Sequence, residues 1–503
     1  MLDELLSARR HGRLGAAEAM ALAEAALDAG REDEVVSMVA AAARDVGDDP
    51  SLWQWTALLY RGLDRRADAL RALAAADRLA PDDPRIAHAV ARTRLEAGLP
   101  ALEAFERARR LAPNDGEILL GRAAAQCAEG ETATAIAQLD ATLSLTPEWF
   151  AGHETVARLR FQRGGAEDFT RSVRRALVAR PTNVTLWRTL LSLLDHARRY
   201  EDALSAIVEA KRAIGDHNVV VANEAIALSE LGRRENAESL FARLDVHTDP
   251  ALRVRRARHF LRHDEVDRAV LPLQSMIGTP AEHLAWPYLS IVWRLTGNNR
   301  ADWLDGDARF VSIRDIACDL PPLDRLAAAL RRLHGARSQP LDQSLRGGTQ
   351  TDGSLFERLE PEIVALRVVI VKEVTAHVAR LPPYDPDHPL LRRRRDRRTR
   401  FSGSWSVRLA DTGFHANHNH PAGWISSALY VALPAKREGD PPQAGWLTLG
   451  QPQAELGLSL EPMRSIEPRP GRLVLFPSTM WHGTVPFAAG ERLTVAFDVA
   501  PPS

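Results

Sequence analysis

A break in the helical pattern recurs along more than half of the chain, at intervals of 32 to 34 residues. Between two breaks lie two segments with apolar residues at helical spacing, separated by a glycine or a charged turn. A hairpin of this length buries its apolar face only by stacking on its neighbours, so the period predicts a helical solenoid over residues 1–300. The breaks fall at Gly47, Pro81, Pro113, Pro147, Pro181, Gly215, Thr248 and Pro280.

Alanines occupy fixed positions inside these units. Two helices that cross closely need small side chains where their axes approach, so the phasing has a packing cause. The pattern resembles the tetratricopeptide repeat (TPR), most clearly over residues 47–280, and residues 1–46 are expected to form one more divergent unit. The alanines at the three shared positions are Ala57, Ala123, Ala157 and Ala225, then Ala69, Ala135, Ala203 and Ala237, then Ala76, Ala176 and Ala210.

A helical array of this kind has two interpretations. It can be a structural spacer, or it can present a concave groove that holds a peptide or a partner protein. We expect the groove, because solenoids expose extended concave surfaces. The sequence alone does not say which side chains line it.

The pattern changes after residue 300, where residues 301–503 are expected to form a second domain. Helices are predicted at about Leu323–Leu333 and Pro361–Leu381, with a polar, glycine-bearing loop at Gln343–Gly353 between them. These segments make residues 301–400 a helical lead-in. Arg392–Arg400 then holds seven arginines in nine positions, either as a solvated surface loop or as a collar that attracts an acidic substrate.

A period of two follows, and it predicts an antiparallel β-sandwich or β-barrel as the core of residues 401–503. Turns rich in Gly, Pro and Asp separate the candidate strands at short spacing. The segments with this pattern are Trp405–Leu409, Ile425–Leu433, Gly445–Leu449, Arg472–Phe476 and Arg492–Val499.

Four histidines in this part of the chain form a candidate metal site. His415, His418 and His420 stand within six residues, and His482 follows a predicted strand. Residues two apart in an extended segment point to the same side, so His418 and His420 can face one ion together, with His482 as the third ligand. Imidazole suits iron, zinc, copper and nickel, so the ligand type does not choose the metal.

Arg492 opens the last predicted strand, and Thr494 faces the same way two residues later. A guanidinium beside a hydroxyl is well shaped to hold a carboxylate. The alternative is an exposed ion pair at a strand edge. An arginine that points into a barrel without a partner would otherwise be an expensive buried charge.

These residues together look like the non-haem iron(II), 2-oxoglutarate-dependent oxygenases, in a bacterial subgroup whose fold is a double-stranded β-helix (a jelly-roll, cupin-like domain). The resemblance covers about residues 340–503 and rests on the four histidines with Arg492 and Thr494. It also rests on the segments Ser426–Tyr430 and Pro470–Ser478. It implies Fe(II) as the metal, with 2-oxoglutarate and O2 as co-substrates.

Carried over residue by residue, the resemblance implies that His418 and His482 are iron ligands. It also implies that Arg492 and Thr494 bind the carboxylate of 2-oxoglutarate that lies far from the metal. The family has a carboxylate where this chain has His420. We expect His420 to be the third ligand, while Asp411, His415 or a water molecule remain alternatives. Three residues are expected in the wall of the site or just behind it, with Tyr430 toward the co-substrate: Tyr430, Arg408 and Asn417. Trp405 is a further candidate, for which a packing role is the preferred interpretation.

The leading function is hydroxylation of a side chain in a protein or peptide that the repeats recruit, since several protein hydroxylases of this family carry helical repeats. Three alternatives stay open. The chain could be a small-molecule oxygenase whose repeats serve dimerisation or localisation. It could be a three-histidine iron dioxygenase that does not use 2-oxoglutarate, or a non-catalytic scaffold.

Composition narrows the partners and the compartment. The chain has 65 basic and 66 acidic side chains, so it has no overall attraction to nucleic acid or anionic membranes. Two cysteines exclude a disulfide framework. Residues 1–20 are charged throughout and do not read as a signal peptide, and the longest apolar runs are too short for a bilayer. We expect a soluble, cytoplasmic protein with no nucleic-acid or membrane partner.

Overall fold

Helix hairpins follow one another from residue 16 to residue 274 in the computed structural model. The structure describes residues 1–8, 13–165, 168–245, 248–341, 343–435, 439 and 441–502. Every predicted break lies between two hairpins or at the end of the last one, which confirms the predicted array of helix hairpins. Its bounds at residues 1–300 stay a prediction. The helices are α1 Leu2–Ala8, α2 Ala16–Ala29, α3 Glu32–Val46, α4 Pro50–Gly62, α5 Arg66–Leu79, α6 Pro84–Glu96, α7 Leu102–Leu111, α8 Gly116–Ala128, α9 Thr132–Leu145, α10 Phe150–Gln162, α11 Arg171–Ala179, α12 Val184–His196, α13 Tyr200–Ile214, α14 Asn218–Glu230, α15 Arg234–Ala242, α16 Pro250–Arg262, α17 Val266–Gln274, α18 Trp286–Leu295, α19 Leu323–Leu333 and α20 Pro361–Arg380.

The breaks start helices as well as ending them. At several breaks the residue two positions further on accepts hydrogen bonds from the first backbone N–H groups of the next helix. Asp49, for example, accepts from the N–H of Ser51 at 2.8 Å. Asp83, Asp115 and Asn183 do the same for α6, α8 and α12. These caps satisfy N–H groups that have no partner within the helix.

The alanines at the shared positions lie where the helices meet. All eleven are buried, with at most 4% of their surface exposed. Leu191 and Phe169, which fill this kind of position in degenerate repeats, are also buried. The packing cause inferred for the alanine phasing is therefore confirmed.

Clustering of contacts divides the chain into two units. The first contains Met1–Leu139, Asp352–Val368 and Pro502–Ser503. Within it, the segment Asp352–Val368 packs on the early repeats: Leu359 N–H donates to the carbonyl of Ala97 at 3.1 Å. Arg367 pairs with Asp64 at 2.8 Å. The repeat pattern did not predict this return of the chain.

The second unit contains Asp140–Thr351 and Val369–Pro501 and holds the later hairpins with two antiparallel sheets. A six-stranded sheet has the order β1-β7-β4-β9-β3-β2, and a three-stranded sheet has the order β6-β5-β8. This is a jelly-roll arrangement, as expected. The strands are β1 Ser312–Asp315, β2 Leu345–Gln350, β3 Phe401–His415, β4 Ile425–Ala432, β5 Leu447–Leu449, β6 Arg464–Ile466, β7 Arg472–Pro477, β8 His482–Thr484 and β9 Arg492–Val499.

The prediction of a loop at Gln343–Gly353 was wrong. Its centre is β2, which pairs with β3 at the edge of the larger sheet. Gly348 is needed there, because a Cβ at this position would collide with the backbone carbonyl of Arg408. Glycines weaken the alternating pattern of a strand, which is why the sequence reads as a loop.

No helix among the described residues combines the length and the apolar character that crossing a bilayer requires.

The packing of α5 makes a testable prediction. Ala69 is fully buried, and Ala67, two residues earlier and on the opposite side of the same helix, is exposed. We expect Ala69→Leu to lower the free energy of unfolding by about 1–3 kcal/mol, because extra carbon atoms must be forced between two helices. Ala67→Leu is the matched control and should change it little. Equal effects in guanidinium denaturation would contradict the close crossing.

Candidate metal centre

A short antiparallel pairing positions two of the histidines. The N–H of His418 donates to the carbonyl of His482 at 2.9 Å, and the N–H of His482 donates back to the carbonyl of His418 at 2.8 Å. The two ring centroids are 4.1 Å apart as a result. Gly483 follows directly, and a Cβ there would collide with the side-chain oxygen of Asn417. The segment before His420 can therefore approach β8 closely only because residue 483 has no side chain.

His420 completes a cluster of three. Its N–H donates to the carbonyl of Ser478 at 2.9 Å, which fixes the backbone at this point. One ring nitrogen from each of His418, His420 and His482 lies within 4.8 Å of the other two. The structure thus brings together, around one small cavity, the three histidines that the sequence predicted as ligands.

Hydrogen bonds engage the same nitrogen, Nδ1, in each of the three rings. Nδ1 of His418 lies 2.8 Å from the carbonyl of Ala416, and Nδ1 of His482 lies 3.1 Å from the carbonyl of Met480. A carbonyl only accepts, so in each ring Nδ1 carries the proton and donates it. The lone pair is then on Nε2. This is the arrangement that metal-binding histidines adopt.

His420 has a stronger partner. Its Nδ1 lies 2.6 Å from the Oδ2 carboxylate oxygen of Asp498, which leaves its Nε2 available in the same way. The other carboxylate oxygen accepts from the Ser426 hydroxyl at 2.5 Å, and Ser426 lies 2.9 Å from the Ser478 hydroxyl. A carboxylate behind a ligating imidazole fixes the ring and raises its basicity. The donor set therefore fits a divalent metal ion of the iron, zinc, copper or nickel type.

Burial and mutual repulsion favour the neutral imidazoles that a metal requires. Burial, followed by the neighbouring histidines, holds the pKa of His418 well below its usual 6.5. Burial does the same to the pKa of His482. Protons therefore compete weakly for these two nitrogens near neutral pH.

His415 lies beside the cluster and outside it. Its ring stacks on that of His418 with centroids 5.8 Å apart, and burial lowers its pKa to about 3. Its Nδ1 is 3.1 Å from the hydroxyl of Ser344, which is also 3.2 Å from Nε2 of His418. The side chain of Asp411, the other alternative ligand, lies outside the described part of the structure.

Arg492 and Thr494 line a cavity of about 50 Å³ together with the three histidines and Asp498. Arg492 is 3% exposed, and among the described residues its Nε has no hydrogen-bond partner. Burial lowers its pKa, as expected for a guanidinium removed from water. A cation held in this way calls for an anion in the cavity, and a carboxylate matches its shape.

The remaining predicted wall residues fall in different places. Tyr430 is fully buried behind Arg492, whose guanidinium carbon lies 5.1 Å from the centre of its ring, and it does not line the cavity. Trp405 stacks parallel to His420 with centroids 5.7 Å apart. Asn417 donates to the carbonyl of Pro452 at 2.9 Å. Arg408 is exposed and pairs with Glu491 instead, so its assignment to the wall was wrong.

Asp498 and Ser344 are the residues that sequence reasoning missed. A signal for Asp498 was present: it shares one face of β9 with Arg492 and Thr494, in an otherwise apolar strand. A carboxylate on a buried face needs a partner. Ser344 carried no signal, because its segment was interpreted as a loop.

Residues 403–498 match the family described as "Putative 2OG-Fe(II) oxygenase". The resemblance expected from the sequence is confirmed over these residues. The match includes His415, His418, His420, His482 and Arg492, and it ends at Asp498. No curated protein matches the chain.

Two solved structures resemble parts of the chain. A prolyl-4-hydroxylase from Pseudomonas putida is 16% identical with a TM-score of 0.26, over 39% of this chain and 95% of that one. A tetratricopeptide repeat protein from Parabacteroides merdae is 16% identical with a TM-score of 0.30, over 45% of this chain and 91% of that one.

The geometry of the cluster predicts which histidine substitutions cause the protein to lose its metal. We expect His482→Ala to lose Fe(II) under anaerobic dialysis, because one of three converging nitrogens is removed. His415→Ala is the control and should keep its iron, since His415 lies outside the cluster. Metal content is measured by inductively coupled plasma mass spectrometry. Unchanged iron in the His482 variant would contradict the assignment.

The carboxylate behind His420 makes a second prediction. Asp498→Ala should weaken Fe(II) binding about 10- to 100-fold, because His420 loses the group that orients it. Asp498→Asn should lose less, since the amide oxygen can still accept from Nδ1. Asp387→Asn, at an exposed carboxylate, is the control for the change in charge. Equal affinities for all three variants would show that Asp498 has no role in the metal site.

Proposed function

We propose that this protein is an Fe(II)- and 2-oxoglutarate-dependent dioxygenase that hydroxylates a side chain of a protein or peptide. The observation that carries the proposal is the cavity lined by three oriented imidazoles and by a buried guanidinium that pairs with no carboxylate among the described residues. The family match over residues 403–498 supports the same chemistry.

In this proposal His418, His420 and His482 hold Fe(II) through Nε2. Arg492 and Thr494 bind the far carboxylate of 2-oxoglutarate, and Tyr430 supports the guanidinium from behind. With its iron and co-substrates bound, the site would couple oxidation of 2-oxoglutarate by O2, to succinate and CO2, to insertion of one oxygen atom into a C–H bond. The chain's own residues position these groups and keep the cavity dry.

The third histidine changes the charge of the site, since no ligand is anionic. Asp498 restores one negative charge a single hydrogen bond away, on Nδ1 of His420. A three-histidine dioxygenase that works without 2-oxoglutarate would give Arg492 no anion to bind. A buried guanidinium without an anion is destabilising, which favours the 2-oxoglutarate reaction.

A second cavity supports a polypeptide substrate. It has a volume of about 540 Å³, and its lining includes His418 and His420 on one side. On the other side it is lined by residues from three consecutive hairpins of the repeats, among them Asp195, Glu230 and Arg255. A small-molecule enzyme would not need repeats that border its metal site. We keep residues 1–300 as the recruiting part and 301–503 as the oxygenase part of this proposal.

The experiment is an anaerobic calorimetric titration of the full chain with Fe(II) and then with 2-oxoglutarate. We expect both to bind, with 2-oxoglutarate binding only after the metal. Peptides from a cell lysate are then incubated with the loaded enzyme and O2, and mass spectrometry searches for a gain of one oxygen atom. If 2-oxoglutarate does not bind the iron-loaded protein, the proposal is wrong.

Arg492 provides the matched test. Arg492→Gln should weaken 2-oxoglutarate binding on the order of 100-fold while Fe(II) binding stays intact, because a charge-assisted pair in a buried site is lost. Arg492→Lys keeps the charge but not the planar fork, so we expect an intermediate loss. Arg408→Gln, on the exposed face of the neighbouring strand, should leave 2-oxoglutarate binding unchanged.

A further inference from the structure

The larger cavity has a charge pattern that specifies what it binds. First helices of three successive hairpins contribute to it: the end of α12, the end of α14 and the first turns of α16. Tyr288, Gln453 and Glu455 continue the lining toward the segment Gln343–Arg346, which borders the histidines. A side chain lying in this cavity would therefore be beside the metal centre.

In the part of the lining that the structure describes, all three carboxylates are already paired with arginines. Asp195 bonds Arg255 at 2.6 Å, and Glu455 pairs with Arg198. Glu230 is held by Arg258 at 3.0 Å, with two more arginines, Arg255 and Arg262, close to it. The acidic groups of the cavity are thus neutralised from within the protein.

Arg346 is different, because no carboxylate among the described residues pairs with it. Its Nη1 donates to two carbonyls of its own segment, those of Gln343 at 2.8 Å and Leu345 at 2.7 Å. Its Nε and Nη2 make no hydrogen bond to the described residues. Burial, and the positive charge of Arg198, lower its pKa. Two arginines that repel each other across a half-buried cavity would both be stabilised by an anion between them.

We propose that Arg346, with Arg198 beside it, binds a carboxylate of the polypeptide substrate, so that the substrate class is acidic peptides. The inference rests on the proposed function for its meaning in catalysis, but peptide binding itself does not require turnover. Arg346 is two residues from Ser344, whose hydroxyl contacts His418. The acidic residue is consequently close in sequence to the residue that is hydroxylated.

The probe is a short fluorescein-labelled peptide of alternating Glu and Ala, compared with the same peptide carrying Gln for Glu. Fluorescence anisotropy with the full chain measures both affinities at low and at physiological salt. We expect the acidic peptide to bind at least about tenfold more tightly, with an advantage that shrinks as salt is added. Equal binding of the two peptides would overturn the proposal.

Variants with opposite charge changes locate the binding. Arg346→Gln should weaken the acidic peptide about five- to tenfold, and Arg346→Lys should recover part of the loss. Glu455→Gln removes the partner of Arg198 and should tighten the same peptide. Arg188→Gln, at an exposed arginine on α12 outside the cavity, is the matched control and should have no effect.

The arginine-rich run Arg392–Arg400 is the competing site for an acidic peptide. It is already partly engaged: Arg395 donates to the carbonyl of Leu381 at 2.9 Å, and Arg394 pairs with Asp396 at 2.6 Å. Arg394→Gln should leave the affinity unchanged. If that variant weakens the acidic peptide and Arg346→Gln does not, the peptide binds at the run and the proposal is wrong.

Failure of this proposal and failure of the proposed function give different results. If iron and 2-oxoglutarate bind but the Glu peptide binds no more tightly than the Gln peptide, the proposed acidic specificity is wrong and the proposed oxygenase function is unaffected. If the Glu peptide binds through Arg346 while 2-oxoglutarate does not bind, the acidic site stands and the oxygenase is wrong. Melting temperatures of all variants, taken by circular dichroism, identify any that fail to fold.

Discussion

The metal centre depends on two backbone hydrogen bonds, those exchanged between His418 and His482. Side chains two apart in an extended segment share a face, and a partner strand decides what they face. The bridge places the imidazole of β8 against that face, and the further bond from His420 to Ser478 holds the segment in register. The cluster therefore follows from backbone pairing, with each ring then turned by its Nδ1 acceptor. A site built in this way is preorganised before any metal arrives.

Charge balance is the second constraint on the site. Three neutral imidazoles bring no charge to a divalent ion, and Arg492 adds a cation to the same cavity. Among the described residues Asp498 is the one acidic side chain that lines it, and it lies behind His420, hydrogen bonded to its Nδ1. The negative charge of Asp498 therefore acts on the site through its hydrogen bond to the imidazole of His420. In the proposed function Arg492 binds an anion that comes from solution. This is why its Nε, which has no hydrogen-bond partner among the described residues, bears on the choice between reaction types.

Much of this was readable from the sequence, for definite physical reasons. The helix hairpins follow from a period that recurs over seven intervals between eight breaks. β9 and α19 have the predicted bounds because their patterns are strong and end sharply. His418 and His420 could be grouped because residues two apart in an extended segment face the same side, and His482 because it follows a predicted strand. Other elements could not be predicted. The strands β1, β6 and β8 have too few residues for a period of two to be recognised. β2 was missed because the contact with the neighbouring strand requires glycine at position 348, and glycine is typical of turns. Packing between distant segments, such as Leu359 on Ala97, leaves no local trace.

Gly483 has a consequence for how this protein can diverge. A Cβ at the residue after the third histidine would collide with the side-chain oxygen of Asn417 and come within 3.0 Å of the backbone carbonyl of His415, just before the segment that holds the other two histidines. Substitution of Gly483 is therefore disfavoured as long as His418 and His482 are paired through their backbones. Homologous chains that keep both halves of the bridge should therefore keep a His-Gly pair at its second half. A homologue with a larger residue there must have moved or replaced the side chain that stands at Asn417 in this chain.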